Sequence, residues 1–210
     1  MDAGEVLGWP FRDPKWSGRL LGMGFIWLFL TLSLIGAIPA WIALNGWMLN
    51  CLDNLRAGRF ELAHPGLPLR RGARLFAVQL VYLLAIVGLT ILITLAGIQV
   101  GRQGGLAALG GGLLVILANA VSLLGSLALV VLLPQIVLLT ERRGIRGGLQ
   151  PGAVLRLALQ AGSAAVLAGL LSLLALDIIS PLGLLLCLVG TAATTPYAMA
   201  VLAAAIHGLE

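Results

Sequence analysis

The sequence predicts an all-α protein, a polytopic transmembrane helical bundle of about six spans in three hairpins with short cytoplasmic amphipathic segments. Three observations predict it. Of the 210 residues, 60% are hydrophobic and only 10% charged, where a soluble domain carries about 25% charged residues to cover its surface in water. The charges are clumped: no Asp, Glu, Lys or Arg occurs in residues 20–52, 75–101, 103–140, 157–176 or 178–209. Each stretch reaches the ~20 residues that a helix needs to cross hydrocarbon. Runs such as Leu113–Leu117 and Leu184–Val189 are continuously apolar, whereas barrel strands would alternate apolar and polar side chains. Backbone groups in lipid must pair within their own segment, so helices remain.

Residues 1–19 read as a cytoplasmic interfacial arm ahead of a single transmembrane domain, 20–210. The arm holds Asp2, Glu5, Arg12, Asp13, Lys15 and Arg19, which leaves no apolar core for a signal peptide. Asp13 followed by Pro14 has the pattern of an N-cap with proline at the first helical position. Trp9 and Trp16 suit the headgroup level.

The 33 uncharged residues Leu20–Leu52 would make a helix of about 50 Å, too long for one untilted span. Gly36 and Pro39 offer a break, giving spans near 18–36 and 39–55, with Trp41 towards the far interface and an incomplete second arm as the alternative. A polar loop, 53–74, follows, with Pro65, Gly66 and Pro68 in its middle. The third span covers 75–100. Gly101–Gly112 reads as a flexible glycine-rich turn, and the fourth span, 113–140, contains Pro134. Residues 141–160 end in a short amphipathic surface helix from Pro151 to Gln160. The fifth span, 161–178, meets a tight turn made by Asp177, Ser180, Pro181 and Gly183, and the sixth covers 184–208.

Orientation follows from the basic residues. Twelve of them (Arg12, Lys15, Arg19, Arg56, Arg59, Arg70, Arg71, Arg74, Arg142, Arg143, Arg146 and Arg156) fall on one side of this topology and only Arg102 on the other. Lys and Arg in short loops stay in the cytoplasm, so both ends of the chain are expected there. An odd number of spans would put an arginine cluster outside. The net charge of +5 has this origin. Without aromatic stacking platforms among the basic clusters, nucleic acid is not an expected partner.

Few residues in the spans carry chemistry. Intramembrane ionisable groups mark transport paths and active sites because burying them is costly. Here Asp177 and His207 lie at predicted helix ends, and no zinc-protease, nucleophile-elbow or paired-aspartate motif occurs. No enzyme activity, catalytic residue, cofactor or metal is therefore expected. Cys51 and Cys187 read as small buried hydrophobes. The uncharged polar residues Asn45, Gln79, Asn119, Gln135, Thr194 and Thr195 either bond helix to helix or line a polar cavity. Pro134 and Pro196 each release a backbone carbonyl, so Asn119, Pro134, Gln135, Thr194, Thr195 and Pro196 form the candidate cavity between the fourth and sixth spans. Small residues recur at every fourth position in Ala118, Ser122, Ser126, in Ala161, Ala165, Gly169, and in Ala200, Ala204, Gly208. Such faces let backbones approach closely, within the bundle or against a partner. Arg70, Arg71, Arg74, Arg142, Arg143 and Arg146 are candidate contacts for anionic lipids, or serve only to orient the chain.

The heptapeptide Pro10-Phe11-Arg12-Asp13-Pro14-Lys15-Trp16 resembles the opening arm of the bacterial and archaeal membrane family called domain of unknown function 4013. Gly46-Trp47, the loop ending Leu62-Ala63-His64-Pro65, and the stretch from Thr195-Pro196-Tyr197 to His207-Gly208 are similar to that family as well. The resemblance implies a multi-span protein of the cytoplasmic (inner) membrane and no known activity. The expected function is that of a non-enzymatic accessory or structural subunit acting through helix packing. Its expected partners are the bilayer, anionic lipids, and other membrane subunits or copies of itself. A small transporter or lipid-handling protein is the alternative.

Overall fold

The computed structural model describes residues 2–33 and 35–210, without the side chains at 186–188. It is helical, and no strand occurs among the described residues. After α1 (Ala3–Gly8) and a 3-10 turn (Trp9–Arg12), α2 (Trp16–Leu32) and α3 (Ala37–Arg56) form the first hairpin. The break falls at Gly36, where a Cβ would meet the Leu30 carbonyl and the Ser33 hydroxyl, and Pro39 lies in the first turn of α3, where its missing N–H is harmless.

Then come α4 (Leu69–Gly101), α5 (Leu106–Val131), α6 (Leu133–Gly148), α7 (Pro151–Ala161) and α8 (Ser163–Leu173). The chain stays helical through a π-turn (Leu174–Ile179), α9 (Ser180–Leu182) and a 3-10 turn (Gly183–Leu186), and ends in α10 (Cys187–His207). The chain divides into two compact units. One comprises Met1–Val78 with Val130–Glu210, and the other Gln79–Leu129.

In the larger unit α10 is the axis, packed by α2, α3, α6, α8 and the N-terminal turn. Its residues Ala198–Ile206 are all buried. Lipid tails are as apolar as leucine, so close backbone approach and hydrogen bonds must hold such helices together. Gly24 of α2 rests directly on the Ala192 carbonyl, and Gly72 on the Ile42 carbonyl of α3; a methyl group fits at neither place. The N-terminal arm is part of this packing. The Trp9 indole N–H donates to the Ala200 carbonyl (3.0 Å), and the Tyr197 hydroxyl to the Leu7 carbonyl (2.8 Å). Asp13, 1% exposed, accepts from the Arg19 guanidinium (2.8 Å) and from the Leu62 amide (3.0 Å). It also caps the turn by accepting from the Lys15 amide (2.8 Å), so α2 begins at Trp16 rather than at Pro14.

The smaller unit holds the part of α4 beyond Val78 and most of α5. Its glycines set the contact. A Cβ on Gly97 would lie 2.9 Å from the Gly111 carbonyl oxygen, and one on Gly111 would lie 2.7 Å from the Gly101 Cα. The connection, residues 102–105, is short, with Gly104 and Gly105 at φ 76° and 55°, values that glycine adopts without steric cost.

Several expectations are corrected. Gly101–Gly112 is not a flexible turn: α5 starts at Leu106, so Gly110–Gly112 are helical, and at Gly111 the contact with α4 needs a bare backbone. The expected fourth span, 113–140, is two helices. α5 stops at Val131 and α6 starts at Leu133 with Pro134 in its first turn, where proline ends one hydrogen-bond ladder and opens the next. α6 then runs on past residue 140, interrupted only at Gly144 (φ 69°). The loop expected over 53–74 is shorter, because α3 reaches Arg56 and α4 takes in Arg70, Arg71 and Arg74. The turn expected at residues 177–183 is helical, and Gly183 packs on Gly190 and Thr191, so the chain reverses between these contacts. Trp9 is fully buried within the protein, whereas Trp16 is exposed. The surface helix expected from Pro151 is α7.

The count of about six spans is not reached by length and composition. Among the described residues, four helical segments are long and apolar enough to cross a membrane: Leu69–Gly101, Leu106–Gly148, Ser163–Leu185 and Val189–His207. α2 is apolar but has only 17 residues. α3 has 20, with Asp53 and Arg56 in its last turn.

Candidate functional site

The densest cluster of charge is in the larger unit. The last turn of α3 puts Asp53 and Arg56 side by side as an (i, i+3) pair (3.3 Å). Arg71, in the first turn of α4, bonds Asp53 with both guanidinium ends and reaches Glu141 of α6 (2.5 Å). Arg56 lies 3.7 Å from the same Glu141 and forms a two-pronged pair with Glu210, whose Nε arm is 2.8 Å. His207 Nδ1 is 3.9 Å from Glu210. The Arg56 hydrogen bond holds the Glu210 carboxyl below its usual pKa although partial burial opposes this. The Glu210 bond in turn pushes Arg56 upwards. Partly exposed pairs like these contribute little stability singly, ~0–1 kcal/mol each. What they do is bring α3, α4, α6 and the residues after α10 to one place. A second knot, Asp13–Arg19–Glu61, ties the N-terminal arm and α2 to the connection between α3 and α4, with Arg19 3.1 Å from Glu61.

The residues expected to line a polar cavity do not share one lining. Asn119 is exposed in the smaller unit and spends its amide on the Val115 carbonyl (2.8 Å). Thr194 donates to the Ser180 carbonyl (2.8 Å), and Thr195 lies 3.1 Å from the Ser180 hydroxyl, so this pair ties α10 to α9. Pro196 is inside α10. Pro134 and Gln135 are buried on α6. Gln135 lines an open apolar groove of about 290 Å³ with Val131, Leu132, Leu159, Gly162 and Val166, and its amide oxygen has no partner. The other polar groups in helices mostly bond their own backbone four residues back. Thr90 does so with Ile86, Thr94 with Thr90, Thr140 with Ile136 and Ser172 with Ala168. Asn45 likewise donates to the Trp41 carbonyl (3.0 Å).

Of the small-residue faces, Ala118, Ala165, Gly169, Ala200 and Ala204 are buried, Ala161 and Ser122 are half-buried, and Ser126 and Gly208 are exposed. Gly169 sits against Val131, with a Cβ there only 2.8 Å from the Val131 carbonyl oxygen. The lipid-contact candidates also differ among themselves. Arg71 is taken up by carboxylates, while Arg142 and Arg143 line an open groove of about 380 Å³ with Arg156, a residue the sequence did not single out. Arg70, Arg74 and Arg146 take part in no ion pair among the described residues. Cys51 is buried with its thiol free; the Cys187 side chain lies outside the described residues. Among the described residues no three His, Cys, Asp or Glu side chains are grouped as a metal site would require.

Long apolar helices with their charges gathered at the connections define a membrane-embedded helical protein. The chain matches the family model described as protein of unknown function (DUF4013) over residues 29–206. It belongs to that family. No curated protein and no solved structure matches it.

Proposed function

We propose that this chain is a non-enzymatic six-span protein of the bacterial or archaeal cytoplasmic membrane, both end segments cytoplasmic, serving as an accessory or structural subunit through helix packing. The ion-pair cluster carries the reading. It gathers Asp53, Arg56, Arg71, Glu141 and Glu210, and charged groups of this density belong on the watery side of a bilayer. For these connections to meet, the stretches 72–140 and 142–209 must each cross and return, and the Arg19–Glu61 pair asks the same of the α2–α3 hairpin, whose two helices are near the minimum length and cross a locally thinned bilayer or with flanking residues snorkelling. The arginine bias then makes that side cytoplasmic. Exposed apolar side chains such as Leu84, Leu92, Leu113 and Leu124 offer faces for lipid or for the helices of another subunit.

Reporter fusions test the topology. Fusions after Arg71 and Arg146 should report cytoplasm, and fusions at Gln103 and Asp177 the opposite side; Arg71 and Arg143 on opposite faces would overturn it. Crosslinking in native membranes followed by purification in mild detergent tests the subunit role, with a stoichiometric companion or a second copy as the expected result. A second reading, a small transporter or lipid-handling protein, is favoured by the unpartnered Gln135 amide oxygen in its groove. A specifically retained solute together with loss of its transport in Gln135→Ala would establish that reading instead.

A further inference from the structure

We infer that α5 pairs in parallel with α5 of a second copy of this chain, across a face centred on Asn119. Two faces of α5 carry the same spacing, one residue apart. Gly111, Ala118 and Gly125 face α4. A Cβ on Gly111 would lie 2.7 Å from the Gly101 Cα, Ala118 is fully buried, and a Cβ on Gly125 would lie 3.1 Å from the Ile86 Cγ2. Gly112, Asn119 and Ser126 repeat that spacing about 100° further round the helix, and all three are exposed. Ile116 and Leu123 alternate with them and are 66% and 63% exposed. Positions 112, 116, 119, 123 and 126 thus advance by four and three residues in turn, the spacing that holds one seam of a helix against a partner helix.

The polar group in this seam is out of place against lipid. Asn119 lies near the middle of α5 (Leu106–Val131), in a stretch without a charged residue from 103 to 140. Its one hydrogen bond among the described residues runs from the amide N–H to the Val115 carbonyl of its own helix (2.8 Å). An asparagine amide has a second N–H and an accepting oxygen, and facing hydrocarbon these go without a partner at a cost. Gly112 has a matching property. A Cβ there would meet nothing within 4 Å, so no contact among the described residues requires this glycine. It costs helix propensity and allows another backbone to come close. The amide is its own complement. Copies of one chain insert with one orientation, so their α5 helices run parallel, and in a two-fold pair residue 119 stands level with residue 119. Each amide then donates to the other and accepts from it. An unrelated helix would need a matching polar group at the same depth; a second copy has one by symmetry. A single asparagine in a seam fixes register and the number of helices in this way.

The inference deepens the proposed subunit role and rests on it. The test uses the full chain in native membranes, oxidised with copper phenanthroline and air, with Cys51 and Cys187 setting the background. Ile116→Cys and Leu123→Cys should each give a disulfide-linked pair of copies. Leu117→Cys and Leu124→Cys, turned about 100° away from them, should give none above background. Energy transfer between labelled copies diluted in phosphatidylcholine vesicles then measures the strength of the pair. Asn119→Leu should raise the dissociation constant about tenfold, the loss of two interhelical hydrogen bonds per pair. Gly112→Leu, which fills the seam from a position open within the chain, should abolish the crosslink at Leu123→Cys. Crosslinks of equal yield on both flanks, unchanged association in Asn119→Leu, or a crosslink that survives Gly112→Leu would each overturn the pair. A different protein trapped at residues 116 and 123, with no pairing of copies, sinks this inference and leaves the subunit role standing; a chain that is monomeric and without a companion in native membranes sinks both.

Discussion

The two compact units each hold a long uncharged helical stretch, in α10 and in α4 beyond Val78, and use it in opposite ways. In the larger unit α10 buries most of its apolar stretch, 78%, inside the protein, while the corresponding stretch of α4 buries 6%. α10 is studded with alanine (Ala198, Ala200, Ala203, Ala204, Ala205) and accepts neighbours on every side. Beyond Val78, α4 carries large side chains such as Leu83, Leu84, Ile91 and Leu92 that point outwards. Hydropathy says that a segment prefers hydrocarbon to water. It does not say whether the hydrocarbon is lipid or protein, and side-chain size decides that.

The sharpest way to break this comparison is to damage the packed unit. Trp9→Ala removes a fully buried indole and its hydrogen bond to the Ala200 carbonyl; it should cost about 4 kcal/mol, read as a lower midpoint of thermal unfolding in detergent. A loss under about 1 kcal/mol would show that the arm is not seated.

Next is a charge on the outward face. Leu124→Arg should cost about 3 kcal/mol of insertion if that face meets lipid, measured by a glycosylation-tag insertion assay. The same change at the loop residue Leu67 should cost nothing measurable.

Third, Gly24→Ala pushes a methyl group into the Ala192 carbonyl and should destabilise by about 2 kcal/mol. Gly111→Ala should disturb only the hairpin of α4 and α5, seen as faster hydrogen exchange confined to residues near Gly97.

The smallest effect concerns pH. Arg56 holds the Glu210 pKa below its ordinary 4.5. A depressed carboxylate stabilises the fold above its unfolded pKa, and that contribution disappears as pH falls through the lowered value. The loss should be about 0.5 kcal/mol for so exposed a pair, visible as a drop in unfolding midpoint below about pH 4.5 that Glu210→Gln abolishes.

Much of the architecture was legible. The hairpin break at Gly36, the surface helix from Pro151 and the helical nature of every neutral stretch follow from punctuation and charge. What was not legible depends on partners far away in sequence. Trp9 among charged residues gives no sign of a buried partner, and only the Ala200 carbonyl supplies one. Arg71 reads as free until Asp53 and Glu141 are placed beside it. Arg156 read as one more orienting charge on the surface helix, because the groove it shares with Arg142 exists only after α7 folds back on α6. Gly111 was misread because a glycine cluster near a turn signals a flexible loop and a close helix crossing equally well.

The clasp of Trp9 on Ala200 joins residues 191 apart in the chain. At roughly 5–20 residues per second, the arm leaves the ribosome about 10–40 s before its acceptor is made. During that interval its indole is without its acceptor. Final closure of the molecule is therefore a late event, and the arm is open to a chaperone, a protease or an assembly partner until the last helix arrives.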